Sequence, residues 1–396
     1  MNRTSRNELA TSEPDCVANT EYLVPIRPLP PGYFLRRRHV VNPSTQAAVQ
    51  HEPPRLPTRH PSAAWLASAV EPVLEPQRRI IDPHHHFSHH WGGYGLDDLL
   101  RDTGAGHRIE NTVYVQCGWE YRTTGDERLK PLGETEAVVR LAEAARARGA
   151  STEVAAGIVG YADLLLGDAV EDVLSAQIEA GNGRFRGVRV AASRHESFQH
   201  GVLPRPPLGL YADRAFLAGM RRLAKLGLSF DAWVYHTQLE DVLALARAVP
   251  ETTIVLDHIG GLLGVGPYAG QQRAAFDEWL PLLAPLAACP NVVMKIGGYG
   301  TTVFGYDFVS QPAPPSSATL ADAWRATVEA VIEAFGASRC MFESNFPVDR
   351  TSASYATVWN AFKRLAAHAS EAEKDDLFYR TAARTYRIGD AARALN

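Results

Sequence analysis

Eight short runs rich in β-branched and other apolar residues recur along this chain from residue 79 onward, with amphipathic segments between them. Such alternation is typical of a parallel sheet, because parallel neighbours need a helical crossover between them. Eight strand–helix units also close a barrel, so we predict an α/β fold of the (β/α)8 TIM barrel type. The predicted strands are Ile80–His84, Thr112–Cys117, Glu153–Val159, Gly187–Ala191, Leu228–Tyr235, Thr253–Asp257, Val292–Ile296 and Cys340–Glu343.

The segments between these strands carry helical periodicity, and several of them end at a glycine. Gly149, Gly181, Gly227 and Gly336 stand where the C-terminal end of a helix favours glycine. An open, doubly wound sheet is the alternative fold, but no G-x-G-x-x-G motif follows an early strand. The predicted helices are Glu134–Arg148, Ala169–Ala180, Arg214–Leu226, Leu239–Ala248, Phe276–Ala287 and Ala321–Phe335.

Residues 1–79 differ from the rest of the chain, because closely spaced prolines interrupt any helix or strand there. We therefore predict two parts, an irregular, proline-rich N-terminal extension over residues 1–79 and the barrel over residues 80–396. The extension contains Tyr33, Phe34 and Trp65, so we expect it to pack on a surface. That surface is either the barrel or a second subunit, and in the second case the chain forms a homo-oligomer.

The charge and cysteine content narrow the class of partner and the compartment. The formal net charge is −4 over 396 residues, which gives no reason to expect nucleic acid or an anionic membrane as a partner. No apolar run approaches the roughly 18 residues of a membrane span, and the polar N-terminus lacks the apolar core of a signal peptide. The four cysteines form no CxxC pair, so we predict reduced thiols in a cytoplasmic protein.

The strongest local signal is a histidine cluster, Asp82-Pro83-His84-His85-His86, at the end of the first predicted strand. Side chains alternate between the two faces of a strand, so His84 and His86 point to one side and His85 to the other. Two imidazoles on one face can reach a single ion, and neutral imidazole suits zinc and its neighbours. This pair predicts a metal site at the end of strand 1.

Histidines also end two later strands, at His236 after strand 5 and at His258 after strand 6. In a barrel of parallel strands the carboxyl ends of all strands meet at one face, where catalytic groups gather. We therefore predict that His84, His86, His236 and His258 share one site at that face.

Five segments have an order and spacing shared with a known family: Asp82–Phe87, Phe185–Arg189, Gly227–Asp231, Val255–Gly261 and Met341–Val348. Over about residues 80–390 the chain resembles the amidohydrolase superfamily, in the branch called amidohydrolase family 2, which includes sugar-lactone and pyrone-dicarboxylate lactonases. The resemblance implies a TIM barrel whose metal is held by His84, His86 and His236. It also implies that His258 contacts the carbonyl or leaving oxygen of the substrate.

The chain departs from this family after strand 8. Relatives place an aspartate where this chain has Asn345, and an amide cannot take a proton from water. A nearby carboxylate is then expected to move the proton, either Glu343 or Asp349. We favour Glu343, because it lies at the end of a strand, whereas Asp349 lies on the following loop.

A second departure lies on strand 4, where two-metal relatives have a carboxylated lysine or a glutamate and this chain has Arg189. Arginine cannot ligate a metal, so the resemblance implies one divalent ion, Zn²⁺ by preference, or none. Arg189 suits a carboxylate of the substrate, unless it pairs with Asp231 or Asp257. Tyr114 and Gln116, at the end of strand 2, are predicted to line the same mouth.

These residues predict a hydrolase that opens a lactone or cleaves another carboxylic ester in a small molecule, with a carboxylate-bearing substrate favoured. The alternatives are a lyase on the same barrel, a decarboxylase or a hydratase, and a non-catalytic binding paralogue that has lost turnover through Asn345. Two long connections, residues 193–211 after strand 4 and residues 297–319 after strand 7, are predicted to form the rim of the site.

Overall fold

The computed structural model describes residues 52–201 and 204–389 and contains one sheet of eight strands. The strands are hydrogen-bonded in chain order, and every neighbouring pair is parallel. All eight overlap the predicted strands. They are β1 (Arg79–His85), β2 (Arg108–Val115), β3 (Glu153–Gly160), β4 (Phe185–Ala191), β5 (Ser229–Trp233), β6 (Ile254–Leu256), β7 (Val292–Ile296) and β8 (Cys340–Phe342).

Hydrogen bonds beyond the end of β8 bring the two edges of the sheet together. The backbone N–H of His86 donates to the oxygen of Phe346 at 2.8 Å, and that of Asn345 donates to the oxygen of His84 at 2.9 Å. A parallel bridge also joins His85 to Phe346. The sheet is therefore nearly closed, and the protein is a (β/α)8 TIM barrel, as predicted.

One helix follows each strand and covers the outside of the barrel, as right-handed crossovers require. Two of these helices, α2 and α9, lie outside the predicted ones. Within the described residues, no helix is at once long and apolar enough to cross a membrane. The helices are α1 (Ala63–Ala67), α2 (Leu96–Thr103), α3 (Leu132–Ala147), α4 (Val170–Ala180), α5 (Arg214–Lys225), α6 (Leu239–Ala248), α7 (Gln272–Ala287), α8 (Ser317–Phe335), α9 (Tyr355–Leu365), α10 (Glu371–Asp375) and α11 (Thr381–Tyr386).

The barrel contains two apolar layers. The outer layer lies between strands and helices and includes the fully buried rings of Trp279 and Trp324. The inner layer lies within the barrel, where Ile81 and Val255 pack against Tyr386 and other residues of α11. Because α11 fills one end of the interior, the inward-facing polar side chains of the strands lie toward the other end.

A bulge in β1 decides which of its side chains enter the barrel. Between Asp82 and His85 the chain takes three steps along β1 while β2 takes two. An extra residue of this kind reverses the alternation of side chains beyond it. As a result His84 and His86 enter the interior, whereas Asp82 faces α9.

Asp82 is fully buried, and it joins β1 to the chain that follows β8. Its carboxylate accepts hydrogen bonds from the backbone N–H of Ser344 at 3.0 Å, the hydroxyl of Ser344 at 2.6 Å and the hydroxyl of Tyr355 at 2.9 Å. Burial raises the pKa of Asp82 to about 6, and these donors act against that rise. Above that pKa, charge-assisted hydrogen bonds hold the closing edge of the barrel.

The described part of the N-terminal extension packs on the barrel. The indole N–H of Trp65 donates to the oxygen of Gln311 at 2.8 Å, and further polar contacts join residues 71–78 to α8, α9 and α10. Tyr33 and Phe34 lie outside the described residues. The division of the chain at residue 79 stays a prediction.

Replacing Tyr355 with phenylalanine removes one donor from the carboxylate of Asp82. We expect the free energy of unfolding at pH 8 to fall by about 1.5–3 kcal/mol, the usual value of a hydrogen bond to a charged group. Urea denaturation measures the loss. Tyr306→Phe is the matched control, because its hydroxyl donates to a neutral oxygen, that of Ala323, and a loss of about 1 kcal/mol or less is expected. Equal losses in both variants would contradict a special role for Asp82.

Candidate active site

The carboxyl ends of β1, β6 and β8 bring two histidines and one glutamate into contact. Nδ1 of His84 lies 2.7 Å from Oε2 of Glu343, and Nδ1 of His258 lies 2.6 Å from Oε1 of the same carboxylate. The two imidazole centroids are 4.6 Å apart. All three side chains are buried, so a single carboxylate holds both imidazoles in place.

Glu343 is ionised, and it fixes the orientation of both rings. Burial alone would raise its pKa, but His258 and His84 bring the pKa down to about 2. Burial lowers the pKa of His84 well below its usual value, so this ring is neutral at pH 7. A ring that donates from Nδ1 to the carboxylate presents Nε2 on its far side. Nε2 of each histidine is therefore turned away from Glu343.

His86 forms a pair with His84. Its Nδ1 lies 2.7 Å from the oxygen of Val115, so Nδ1 carries the proton and Nε2 the lone pair. Nε2 of His86 and Nε2 of His84 are 3.2 Å apart. Nδ1 of His84 also lies 3.2 Å from Nζ of Lys295, and Nη1 of Arg189 lies 3.3 Å from Nε2 of His84. Two cationic side chains thus flank this neutral ring.

Lys295 on β7 lies at the centre of the barrel and was missed by the sequence analysis. Its Nζ is 2.7 Å from Oδ2 of Asp231 and 3.1 Å from Oδ1 of Asp257. Burial acts to lower the pKa of Lys295, but the carboxylates of Asp231, Asp257 and Glu343 raise it above its usual value. The lysine is therefore charged. The one signal in the sequence was a lysine within the apolar run Val292–Ile296.

The last described helix also reaches this lysine. The hydroxyl of Tyr386 donates to Oδ2 of Asp231 at 2.7 Å, and its ring centroid lies 5.4 Å from Nζ of Lys295. Burial raises the pKa of Asp231 to about 6, and Lys295 and Tyr386 act against that rise. Helix α11 thus belongs to the hydrogen-bond network beneath the histidines.

Three side chains fit a divalent metal ion. His84, Asp257 and His258 each offer one ligand atom, and these atoms lie within 4.8 Å of one another. Within the described chain no donor hydrogen-bonds to either oxygen of Asp257, although Lys295 and Arg189 lie 3.1 and 3.7 Å away as ion pairs. Two imidazoles and a carboxylate form a donor set that suits zinc and similar ions.

Of the three predicted metal ligands, His84 belongs to this group, His86 lies beside it and His236 lies outside it. β5 ends at Trp233, two residues earlier than predicted, and His236 begins a 3-10 turn. Nδ1 of His236 accepts from the N–H of Leu263 at 3.2 Å, and its ring packs on Tyr268 with centroids 4.7 Å apart. Trp233 takes the place at the strand end, with its ring centroid 4.7 Å from that of His258.

Tyr114 and Gln116 do not line the mouth as predicted. Tyr114 faces the outer helices, where its hydroxyl donates to Oε1 of Glu134 at 2.7 Å, because side chains alternate along β2. Gln116 supports Arg189 instead. Its backbone oxygen accepts from Nη2 of Arg189, and its side-chain amide donates to the oxygen of Arg189 at 3.3 Å.

Asn345 lines the site, and Asp349 lies behind it. The side-chain amide of Asn345 donates to Oδ1 of Asp349 at 2.8 Å and to the hydroxyl of Thr301 at 3.2 Å. Burial raises the pKa of Asp349 to about 7. Of the two carboxylates considered from the sequence, Glu343 is the one in contact with His84 and His258.

A cavity of about 110 Å³ adjoins these residues, which is room for several water molecules or a small organic ligand. Its lining includes Arg189 and, from the loop after β4 that was predicted as rim, Arg194 and Arg205. Glu196 pairs with the two loop arginines. None of the lining residues that the structure describes carries a carboxylate. The cavity therefore favours an anionic ligand.

The sequence model of the family described as amidohydrolase matches residues 81–388 of this chain. The chain belongs to the amidohydrolase family. A relative from Sinorhizobium fredii, the uncharacterized protein y4mH, is 32% identical over 324 residues, which cover 82% of this chain and 93% of the relative. An L-fucono-1,5-lactonase from Burkholderia multivorans is 28% identical over 226 residues, which cover 57% of this chain and 72% of the relative.

A solved structure gives the same fold. An amidohydrolase from Burkholderia multivorans with bound zinc superposes with a TM-score of 0.59 at 25% identity, covering 78% of this chain and 99% of that chain. Membership of the amidohydrolase family supports an enzyme, either a hydrolase or a lyase of this fold. The histidine-rich site at the carboxyl ends of the strands is where such a barrel carries its chemistry.

Replacing Lys295 with methionine leaves the buried carboxylates of Asp231 and Asp257 without their cation. We expect the free energy of unfolding to fall by about 3–5 kcal/mol, the usual cost of breaking a buried ion pair by removing one partner. Urea denaturation is the measurement. Lys225→Met, at an exposed position of α5, is the matched control and should change stability by about 0.5 kcal/mol at most. A similar small change in Lys295→Met would show that the buried charges do not depend on the lysine.

Proposed function

We propose that this amidohydrolase is a hydrolase that opens a lactone, or cleaves another carboxylic ester, in a small molecule that bears a carboxylate. The observation that carries the proposal is the contact of Glu343 with both His84 and His258 beside a cavity lined with arginines and histidines. Such a site can polarise a carbonyl, move a proton and bind an anion, which are the requirements of this reaction.

Relatives support this class of reaction and a metal. L-fucono-1,5-lactonases from Burkholderia multivorans and Burkholderia ambifaria are each 28% identical to the chain. The solved amidohydrolase at 25% identity contains zinc. Zinc is the ion that we propose here, because the donor set contains two imidazoles.

We propose His84, Asp257 and His258 as the residues that hold the ion. A bound divalent ion supplies Lewis acidity, which activates a carbonyl and water near neutral pH. Glu343 acts through these two histidines. Its carboxylate lies 2.7 Å from Nδ1 of His84 and 2.6 Å from Nδ1 of His258, so it holds both rings in place and makes them better donors of electron density.

We propose that His86, which lines the cavity and adjoins His84, accepts a proton from the attacking water. Val115 keeps the proton on Nδ1, and burial lowers the pKa of His86, so Nε2 carries a lone pair at pH 7. The same ring returns the proton to the leaving oxygen. Arg189, which lies beside His84 and lines the cavity, binds the substrate carboxylate.

Metal content tests the ligand assignment without any substrate. Plasma mass spectrometry of the purified protein should give about one divalent ion per chain, as expected for a mononuclear site. His84→Ala should lose the ion because a ligand is removed, and His236→Ala should keep it because His236 lies outside the group. Loss of the ion in His236→Ala and retention in His84→Ala would reverse the assignment.

Glu343→Gln tests the reaction on a panel of small lactones and aryl esters with and without a carboxylate. Because glutamine cannot accept a proton from both imidazoles, we expect kcat to fall by about 10² to 10⁴. Glu278→Gln is the matched control, since Glu278 lies 3.6 Å from Nε2 of the excluded His236, and its kcat should be unchanged. Near-normal turnover in Glu343→Gln together with loss in Asp349→Asn would reject the role given to Glu343.

The products separate the proposal from its alternatives. Hydrolysis in ¹⁸O water places the label in the carboxylate of the product, which mass spectrometry detects. A decarboxylase would release CO₂, and a hydratase would add or remove water at a carbon–carbon double bond, with no label in a carboxylate. A binding paralogue would take up carboxylates in calorimetry and turn over no member of the panel.

A further inference from the structure

Residues 54–61, here called the mouth segment, lie at the open end of the barrel and outside the region that the family model matches, residues 81–388. The mouth segment is therefore an addition to the part of the chain that the family model describes.

One end of the mouth segment is fixed to the loop after β4. The N–H of Leu56 donates to the oxygen of Gln199 at 2.8 Å, and the N–H of Gln199 donates to the oxygen of Pro54 at 2.9 Å, as in a parallel bridge. The guanidinium of Arg55 donates to the oxygen of Gly201 and to Oε1 of Gln199. Leu56 also packs against the outer apolar layer.

The other end is fixed to the loop after β7. Nη1 of Arg59 lies 2.7 Å from Oδ1 of Asp307 and also donates to the hydroxyl of Ser310. Four residues beyond the segment, the indole of Trp65 donates to the oxygen of Gln311. The same short stretch thus ties both rim loops together across the open end of the barrel.

Thr58 lies between these two anchors and lines the active-site cavity. It also lines a neighbouring cavity of about 60 Å³ whose wall includes Arg59, His60 and Arg350. The two cavities share Thr58, Trp91, His200 and Val348. A ligand that extends from the active-site cavity into the neighbouring one therefore contacts Thr58.

We propose that the mouth segment is a wall of the substrate site and that Thr58 is the specificity-determining residue through which this wall limits ligand size. The inference rests on the function proposed for the same cavity and narrows its substrate to a compact acid or lactone without a bulky group on the side of Thr58. Because the backbone is anchored on both sides of Thr58, a larger side chain there narrows the opening instead of displacing the segment.

Access past Thr58 can be measured without a substrate. Ser193 lines the cavity, and Ser193→Cys provides a thiol there for methanethiosulfonates of increasing size, with peptide mapping to locate the label. The described native cysteines are buried, but Cys117 lines the same cavity, so peptide mapping must separate its label from the label at position 193. In this background, Thr58→Trp should lower the ratio of the labelling rates of an aromatic and a methyl reagent by about tenfold or more, the usual discrimination of a tight apolar contact.

Val70→Trp is the matched control, because Val70 belongs to the same extension, is 86% exposed and lines neither cavity. It should leave the ratio unchanged. Thr58→Ala adds no bulk and should raise the ratio, so it decides the question if Thr58→Trp fails to fold. An unchanged ratio in Thr58→Ala, or in a folded Thr58→Trp, would overturn the proposal. A size-dependent ratio without hydrolysis of any lactone or ester would reject the proposed function and retain the wall.

Discussion

The site depends on the ion pairs of one buried ammonium group, that of Lys295. Lys295 is fully buried, and a buried charge costs several kcal/mol unless opposite charges surround it. Asp231, Asp257 and Glu343 supply those charges. Each of these carboxylates also contacts a second group. Asp231 accepts a hydrogen bond from Tyr386 of α11, and Asp257 lies beside Arg189. Glu343 contacts two histidines. The ions that stabilise the barrel interior are thus the same ions that organise the chemistry.

The sequence predicts the barrel and part of the site for physical reasons that concern short stretches of chain. Strands buried on both faces are apolar runs, and all eight are found. His84, His258 and Glu343 lie at or immediately after strand ends, so the topology alone brings them together. The bulge in β1 also leaves the predicted pairing of His84 with His86 intact, because both follow the extra residue.

The remaining features of the site depend on tertiary contacts, which a short stretch of sequence does not specify. His236 lies outside the site because β5 ends at Trp233, two residues earlier than predicted, and the chain then turns. Asp257 and Lys295 become partners through the register of neighbouring strands, which no single strand specifies. The contacts of residues 54–61 with two distant loops likewise follow from the folded barrel.

The bond from Tyr386 to Asp231 has a consequence for biosynthesis. A ribosome makes all eight strands before it makes α11, so a nascent barrel can bring Asp231 and Lys295 together while the tyrosine donor is still missing. The inner apolar layer, which α11 completes, also stays open to water until then. Docking of this late helix is therefore the step that finishes the network beneath the histidines.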